Sequence, residues 1–341
     1  MIQFQFKTKE TKPHIVLAAD MGGTKVNMAL FDVSGAKPKT LFKEKFYSAE
    51  FNSFSNILEV FLQKYPSPVP DSICIGVAGP VKNGVAQFTN LKWQISTKEI
   101  SSITGIQKVA LLNDLEATTY GLSQLSSRDL ENLYISKKIK AGNILLIAPG
   151  TGLGIAGLLE KKNFYSVISS EGGHSEFAPR TSDDVLLYKY LEAKKKIVSW
   201  EHIVSGQGIE NIFDFLSDTK KMKVPAWLYK EFLHNDKAAV ISRNAINKKS
   251  AICRKTMKIF IENLARVASS MALTFKATGG IYLCGGIPPK IIPLLKEPNF
   301  IKQFLTSDRM NGLLKDIPIN IVLNEETALS GAAYFGANGV D

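Results

Sequence analysis

Short apolar runs that end at a glycine turn recur along this chain. Ile15-Val16-Leu17-Ala18-Ala19 stops at Asp20, Met21-Gly22-Gly23-Thr24-Lys25 follows as a turn, and residues 26–31 return as a second strand. This pattern predicts a hairpin. Residues 143–148 form another apolar run, Pro149-Gly150-Thr151-Gly152 a second glycine turn, and residues 153–159 a second returning strand. The shared design points to a weak internal duplication, two related α/β units in one chain. Identity between the two copies is low, so the inference rests on pattern.

Between the hairpins, Phe54, Ile57, Leu58, Phe61 and Leu62 share one helical face within 51–65. Strands are expected over 72–78, ending at Gly79-Pro80, and over 108–112, ending at Asn113-Asp114, with a helix able to begin over 117–125. From 185 to about 271 the periodicity is mainly helical, and 252–275 reads as one long amphipathic helix. A late strand over 280–284 ends at Gly285-Gly286-Ile287-Pro288; 319–323 is the last strand and 327–337 a small-residue helix. No low-complexity linker separates the halves, so the domain boundary is expected at a hinge within structured chain.

Composition narrows the class. At roughly 150 residues per domain, 341 residues suggest about two domains. With 45% hydrophobic and 21% charged residues, a mostly disordered, collagen-like or coiled-coil chain is excluded. The net charge of +11 is spread in small clumps such as Lys194-Lys195-Lys196, not gathered into one basic arm interleaved with aromatics. A solvated basic surface is the simplest reading, and no nucleic-acid partner is expected. An anionic substrate would also favour a positive field around its site.

The three cysteines, Cys74, Cys253 and Cys284, show no CxxC or CxC spacing, which argues against a zinc cluster and fits a reducing cytoplasm. Residues 1–14 are polar and carry no apolar signal core. The longest uncharged run, 141–159, holds Pro149 and glycines at 142, 150, 152, 154 and 157, so it reads as strand, turn and strand and not as a membrane helix.

Several short motifs can carry chemistry. In Asp20-Met21-Gly22-Gly23-Thr24, adjacent glycines let backbone N–H groups approach an anion, because no Cβ intervenes, and the threonine adds a donor. Asp20 can hold a hydrated magnesium ion. A single such turn is more often an ordinary tight hairpin, and the GxxxxGK[ST] phosphate loop is absent. Gly150-Thr151-Gly152-Leu153-Gly154 supplies a second loop of the same kind, and the pair favours phosphate binding. Asn113-Asp114 ends a strand, where α/β proteins place ligands; Asp114 can take a proton from a substrate hydroxyl that Asn113 orients, or simply cap the next helix. Glu171-Gly172-Gly173-His174 can hydrogen-bond vicinal sugar hydroxyls, or be a surface turn. Glu201, before Ser205-Gly206-Gln207-Gly208, taken alone is a solvated glutamate. Gly285-Gly286-Ile287 can lie against a flat ring such as adenine, or form a tight strand-to-helix turn.

In this order, 20–25, Ala78-Gly79-Pro80-Val81, Thr89-Asn90-Leu91-Lys92-Trp93, Asn113-Asp114, 150–154, 171–174 with Phe177-Ala178-Pro179, Ser205-Gly206-Gln207-Gly208 and Gly285-Gly286-Ile287 resemble the bacterial-type glucokinase family, within the hexokinase, actin and heat-shock ATPase superfamily. Each motif is weak alone; the ordered set, spanning about residues 15 to 335, is highly specific. The resemblance implies an α/β fold of two RNase H-like, actin-like ATPase domains flanking a deep cleft. The small domain would comprise 1–124 plus 321–341 and the large one 125–320. It implies ATP-dependent phosphorylation of the 6-hydroxyl of glucose with Mg2+.

By matching position, the resemblance makes Asp114 the general base and gives the sugar hydroxyls to Asn113, Asp114, Glu171, His174 and Glu201. Gly22, Gly23, Thr24, Gly150, Thr151 and Gly152 would contact the phosphates, and Lys25 either adds a positive charge near them or points to solvent. Asp20 would hold the metal through water, and Gly285 and Gly286 would border the nucleotide. Lys25 departs from the commonest family pattern, where a small polar residue is frequent, as does the slightly long polar start over 1–14. A homodimer is expected by family and base rate.

The closest rival is a ROK-type kinase of another hexose or amino sugar. That group carries a zinc-binding CxCGxxGC run soon after its EGH-like motif, whereas here the first cysteine after His174 is Cys253, alone. A ROK-type repressor needs a helix-turn-helix in front, for which the residues before the first strand leave no room. A non-catalytic sugar or nucleotide sensor is a second rival, against which Asp114 beside both loops argues.

Overall fold

The computed structural model describes residues 2–6, 14–35, 37–88, 93–138, 140–162 and 164–340. The motif residues Thr89-Asn90-Leu91-Lys92 lie outside the described residues. The chain forms two compact units: Met1–Arg128 with Lys161–Ser169 and Asn324–Asp341, and Asp129–Glu160 with Ser170–Leu323. Lys161–Ser169 thus falls in the first unit, inside the stretch 125–320 that the resemblance assigned to the large domain.

In the first unit, Ile15–Met21 pairs antiparallel with Lys25–Asp32, and Lys39–Tyr47 adds the outer antiparallel strand. On the other side Ser72–Val77 runs parallel to Ile15–Met21, and Val109–Asn113 parallel to Ser72–Val77. The inner strands are almost wholly buried, as expected of near-continuous apolar runs in a parallel sheet. Phe54–Lys64 covers one face with Phe54, Ile57, Leu58 and Phe61, and Ser53 caps it by accepting from Asn56 N–H. The other face is covered by Thr327–Asn338 and Asp114–Gly121, around Ala117, Leu329, Ala332 and Ala333. These two helices meet at glycines. A Cβ on Gly121 would lie 2.0 Å from the Thr327 carbonyl oxygen, and one on Gly331 would lie 1.8 Å from that of Ala117.

The second unit repeats this design. Ile144–Pro149 and Leu153–Lys161 form an antiparallel hairpin; Gly280–Leu283 runs parallel to the first of them, and Ile319–Val322 parallel to Gly280–Leu283. Its core gathers Leu145, Ile147, Phe215, Phe260, Ile281 and Ile321, among others, against the long helix Ala251–Phe275. The helical stretch resolves into Ser182–Glu192, Gly206–Asp218, Ala226–Phe232, Lys237–Ile246 and that long helix. Buried within this unit, Arg266 pairs with Asp184, whose carboxylate also accepts from the N–H groups of Arg180 and Thr181.

Two local expectations are corrected. The helix expected to begin over 117–125 starts at Asp114, because Asn113 Oδ1 accepts from Leu115 N–H and caps it. Ser205-Gly206-Gln207-Gly208 is no free turn: Ser205 caps Gly206–Asp218 by accepting from Gly208 N–H, and its hydroxyl donates to the Glu201 carbonyl.

Candidate active site

The two hairpin turns are built alike at the level of single N–H groups. Gly22 N–H donates to the Lys25 carbonyl at 2.9 Å, and Gly150 N–H donates to the Gly152 carbonyl at 2.8 Å. In each turn the first glycine therefore spends its own N–H on closing the loop. The next two N–H groups, of Gly23 and Thr24 and of Thr151 and Gly152, meet no hydrogen-bond acceptor among the described residues. A backbone donor left without a protein partner and close to solvent is open to water or to an anion. Lys25 opens the returning strand and is exposed.

Asp20 is the last residue but one of the strand Ile15–Met21 and Asn113 the last of the parallel strand Val109–Asn113, so both lie at the same end of the sheet. Asn113 is locked by two bonds: Oδ1 accepts from Leu115 N–H at 3.0 Å, and Nδ2 donates to the Gly79 carbonyl at 3.1 Å. Asp114 is the first residue of the helix, and its Oδ1 accepts from Leu115 N–H at 2.8 Å. Gly76 makes this approach feasible, since a Cβ there would lie 3.0 Å from Ala117 Cβ. Burial, and then the charge of Asp114, push the Asp20 carboxyl up to about 6, against a lowering hydrogen bond with Asn27.

In the second unit, Glu171 is exposed and leads into the short Gly172–His174 turn. His174 Nδ1 lies 3.9 Å from Glu201 Oε1, while Glu201 Oε2 accepts from Leu153 N–H at 2.8 Å. Glu201 is thus held on the glycine loop and is no isolated surface residue. Gly173 fits against the same loop: a Cβ there would lie 1.9 Å from the Leu153 carbonyl oxygen.

A cavity of about 760 Å³ opens beside the loop, lined by Gly150, Thr151, Glu210, Arg243, Gly286 and Lys290 among others. Gly285 needs to be glycine, with φ +79° and its Cβ position 2.7 Å from the Pro149 carbonyl. Gly150 and Gly286 have no such need: neither has a positive φ, and a Cβ on either would meet nothing within 4 Å. The walls from Glu210, Arg243 and Lys290 carried no motif in the sequence; they come from three helical segments distant in the chain. Among the described residues no group of three or more His, Cys, Asp or Glu side chains is arranged to hold a metal ion.

A family model described as Glucokinase matches residues 17–339. The chain belongs to the glucokinase family. Among its relatives, a curated glucokinase of Nostoc punctiforme is 37% identical over 337 residues, covering 95% of this chain and 99% of the relative. The crystal structure of a glucokinase from an Antarctic psychrotroph superposes with a TM-score of 0.82 at 30% identity, covering 95% of this chain and 98% of that one. A ROK-family glucokinase from Streptomyces griseus, solved with glucose and AMPPNP, has a TM-score of 0.63 at 16% identity, covering 94% and 99%; at that identity it speaks for the fold alone. The chain is a hexose kinase with the α/β, actin-like ATPase fold. Among the described residues no helix is long and apolar enough to cross a membrane.

Proposed function

We propose that this glucokinase-family chain transfers the γ-phosphoryl group of ATP to the 6-hydroxyl of glucose, giving glucose 6-phosphate and ADP. The observation that carries this reading is the matched pair of open donors in the two hairpins, Gly23 with Thr24 and Thr151 with Gly152. Gly150 and Gly286 support it: both line the cavity as glycines without a backbone or packing reason, as a closely approaching nucleotide would require.

In this reading Asp114 takes the proton of the 6-hydroxyl as that oxygen attacks the γ-phosphorus; the new O–P bond forms as the bond to the β-phosphate oxygen breaks. Asn113 presents its remaining amide hydrogen to a sugar hydroxyl, with its orientation preset by Gly79 and Leu115. Glu171, His174 and Glu201 hold further hydroxyls, and a site that pairs hydroxyls rejects sugars lacking them. Lys25 adds positive charge near the phosphates. Gly285 and Gly286 border the nucleotide.

Asp20 would hold magnesium through water, since a hard carboxylate oxygen suits that ion. When bound there, such an ion would supply charge neutralisation to the phosphates. We place the enzyme in the cytoplasm, where its three buried, unpaired thiols stay reduced, and expect a homodimer.

The test follows ADP release with Mg-ATP against glucose, mannose, fructose, N-acetylglucosamine and N-acetylmannosamine, with Asp114→Asn beside the wild type. Turnover with glucose, reduced about 10²–10⁴-fold in Asp114→Asn, is expected. Turnover only with an amino sugar moves the specificity; no turnover with any sugar overturns the reading.

A further inference from the structure

The peptide of Leu153 is clasped from two sides. Its N–H donates to Glu201 Oε2 at 2.8 Å, and its carbonyl oxygen faces the Gly173 backbone so closely that a Cβ would come within 1.9 Å. A Cβ on Gly152 would in turn lie 2.5 Å from Glu201 Oε2, so the carboxylate rests directly on the loop backbone. The other oxygen of the same carboxylate, Oε1, is turned to His174, with 3.9 Å to Nδ1. Glu201 itself is anchored, since its own carbonyl accepts from the Ser205 hydroxyl at 2.7 Å and Ser205 caps the Gly206–Asp218 helix. One half-buried carboxylate therefore touches the two parts of this unit to which the proposed function gives different substrates: the His174 turn for sugar and the Thr151-Gly152 donors for phosphate.

We infer that Glu201 is a positioning residue for the second phosphate loop as well as a sugar contact, and that it couples the two substrates. This rests on the function proposed above. A sugar hydroxyl donating to Oε1 fixes the carboxylate's torsions, which in turn fixes Oε2 on Leu153 N–H and presents the open N–H groups of Thr151 and Gly152 in one geometry. The loop then binds the triphosphate without first losing freedom of its own. By reciprocity the nucleotide tightens sugar binding by the same factor.

The experiment measures glucose binding calorimetrically with and without AMPPNP and magnesium, in the wild type, Glu201→Asp and Gly152→Ala. Shortening the side chain by one methylene removes its reach to Leu153. In Gly152→Ala the new methyl displaces only the flexible end of Glu201, so the backbone is retained. The wild type is expected to bind glucose about fivefold or more tightly with the analogue present. Both variants should bring that ratio to within about twofold of unity, whatever their affinity for glucose alone. Hydrogen exchange of the 150–156 amides should slow on adding glucose alone in the wild type and not in Gly152→Ala. A wild type that turns over glucose yet shows a ratio near unity, or variants that keep the wild-type ratio, overturns the coupling and leaves the proposed function standing. A wild type that phosphorylates no sugar overturns both.

Discussion

Asp114 makes it harder for Asp20 to stay charged: in the first unit, burial and then the neighbouring Asp114 charge lift the Asp20 carboxyl to about 6. The sheet sets this up. Asp20 stands opposite Gly76 in the parallel register, and a Cβ on Gly76 would lie 4.0 Å from the Asp114 Cα. Two acidic groups are brought together at strand ends where stability alone would avoid them. Such clustering makes the pair a candidate for chemistry.

Asp20→Asn should therefore stabilise the protein and inactivate it. Asp20 binds its proton more tightly folded than unfolded, so it contributes stability below its unfolded value of 3.8 that is lost as pH rises through about 6. The shift of about two units amounts to about 3 kcal/mol. Asparagine keeps the neutral form at every pH. Denaturation should show the variant about 3 kcal/mol more stable than wild type near about pH 8 and equal to it near about pH 4. A difference independent of pH contradicts this account.

Gly285 and Gly286 should separate cleanly. Gly285→Ala must hold alanine at φ +79° with its Cβ against the Pro149 carbonyl, and should lose about 1–3 kcal/mol of stability. Gly286→Ala has open space and should melt within about 0.5 kcal/mol of wild type. If the cavity takes the nucleotide, Gly286→Ala should still raise KM for ATP several-fold and leave KM for glucose unchanged. Unchanged kinetics would remove Gly286 from the nucleotide border.

The start of the chain braces the Asp114 helix. Phe4 is 7% exposed; its ring centroid lies 4.7 Å from that of Tyr120 and 6.0 Å from that of Tyr334, and Gln3 accepts from Tyr165 N–H. Phe4→Ala should cost about 2–4 kcal/mol, read as a shift in denaturation midpoint, and Phe4→Leu clearly less. Equal losses in both variants would point away from buried volume as the cause.

Breaking the Arg266–Asp184 pair from one side should be severe. Burial pushes the Asp184 carboxyl up, but the bonds from Thr181, the Arg266 charge and the Arg180 backbone together hold it below the usual range. Arg266→Met leaves that carboxylate buried without its cation, at a loss of about 3–5 kcal/mol. The double variant Arg266→Met with Asp184→Asn should recover part of it. No recovery in denaturation would show that the Arg266 packing, not the pairing, is what matters.

Much of the fold was legible along the chain. The inner strands stop within a residue or two of where the apolar runs stop, because a strand buried on both faces has to be apolar throughout. The long helix 251–275 followed from its period, and the duplicated hairpins from their shared turn. The outer strand Lys39–Tyr47 went unseen, since it is largely exposed and its residues carry no apolar run. The short strands Val81–Lys82, Val85–Gln87 and Gln94–Ser96 are too brief for any period to register.

Residue types and order determined the family resemblance and the candidate groups, because motifs at strand ends are local features of the chain. Which donors those groups have left to offer was decided only in three dimensions. Gly22 and Gly150 use their N–H groups on their own turns, Glu201 lies across Leu153, and Glu210, Arg243 and Lys290 meet around one cavity. A hydrogen bond consumed or a Cβ excluded depends on atoms brought together from far along the chain. No spacing rule within a single segment carries that information.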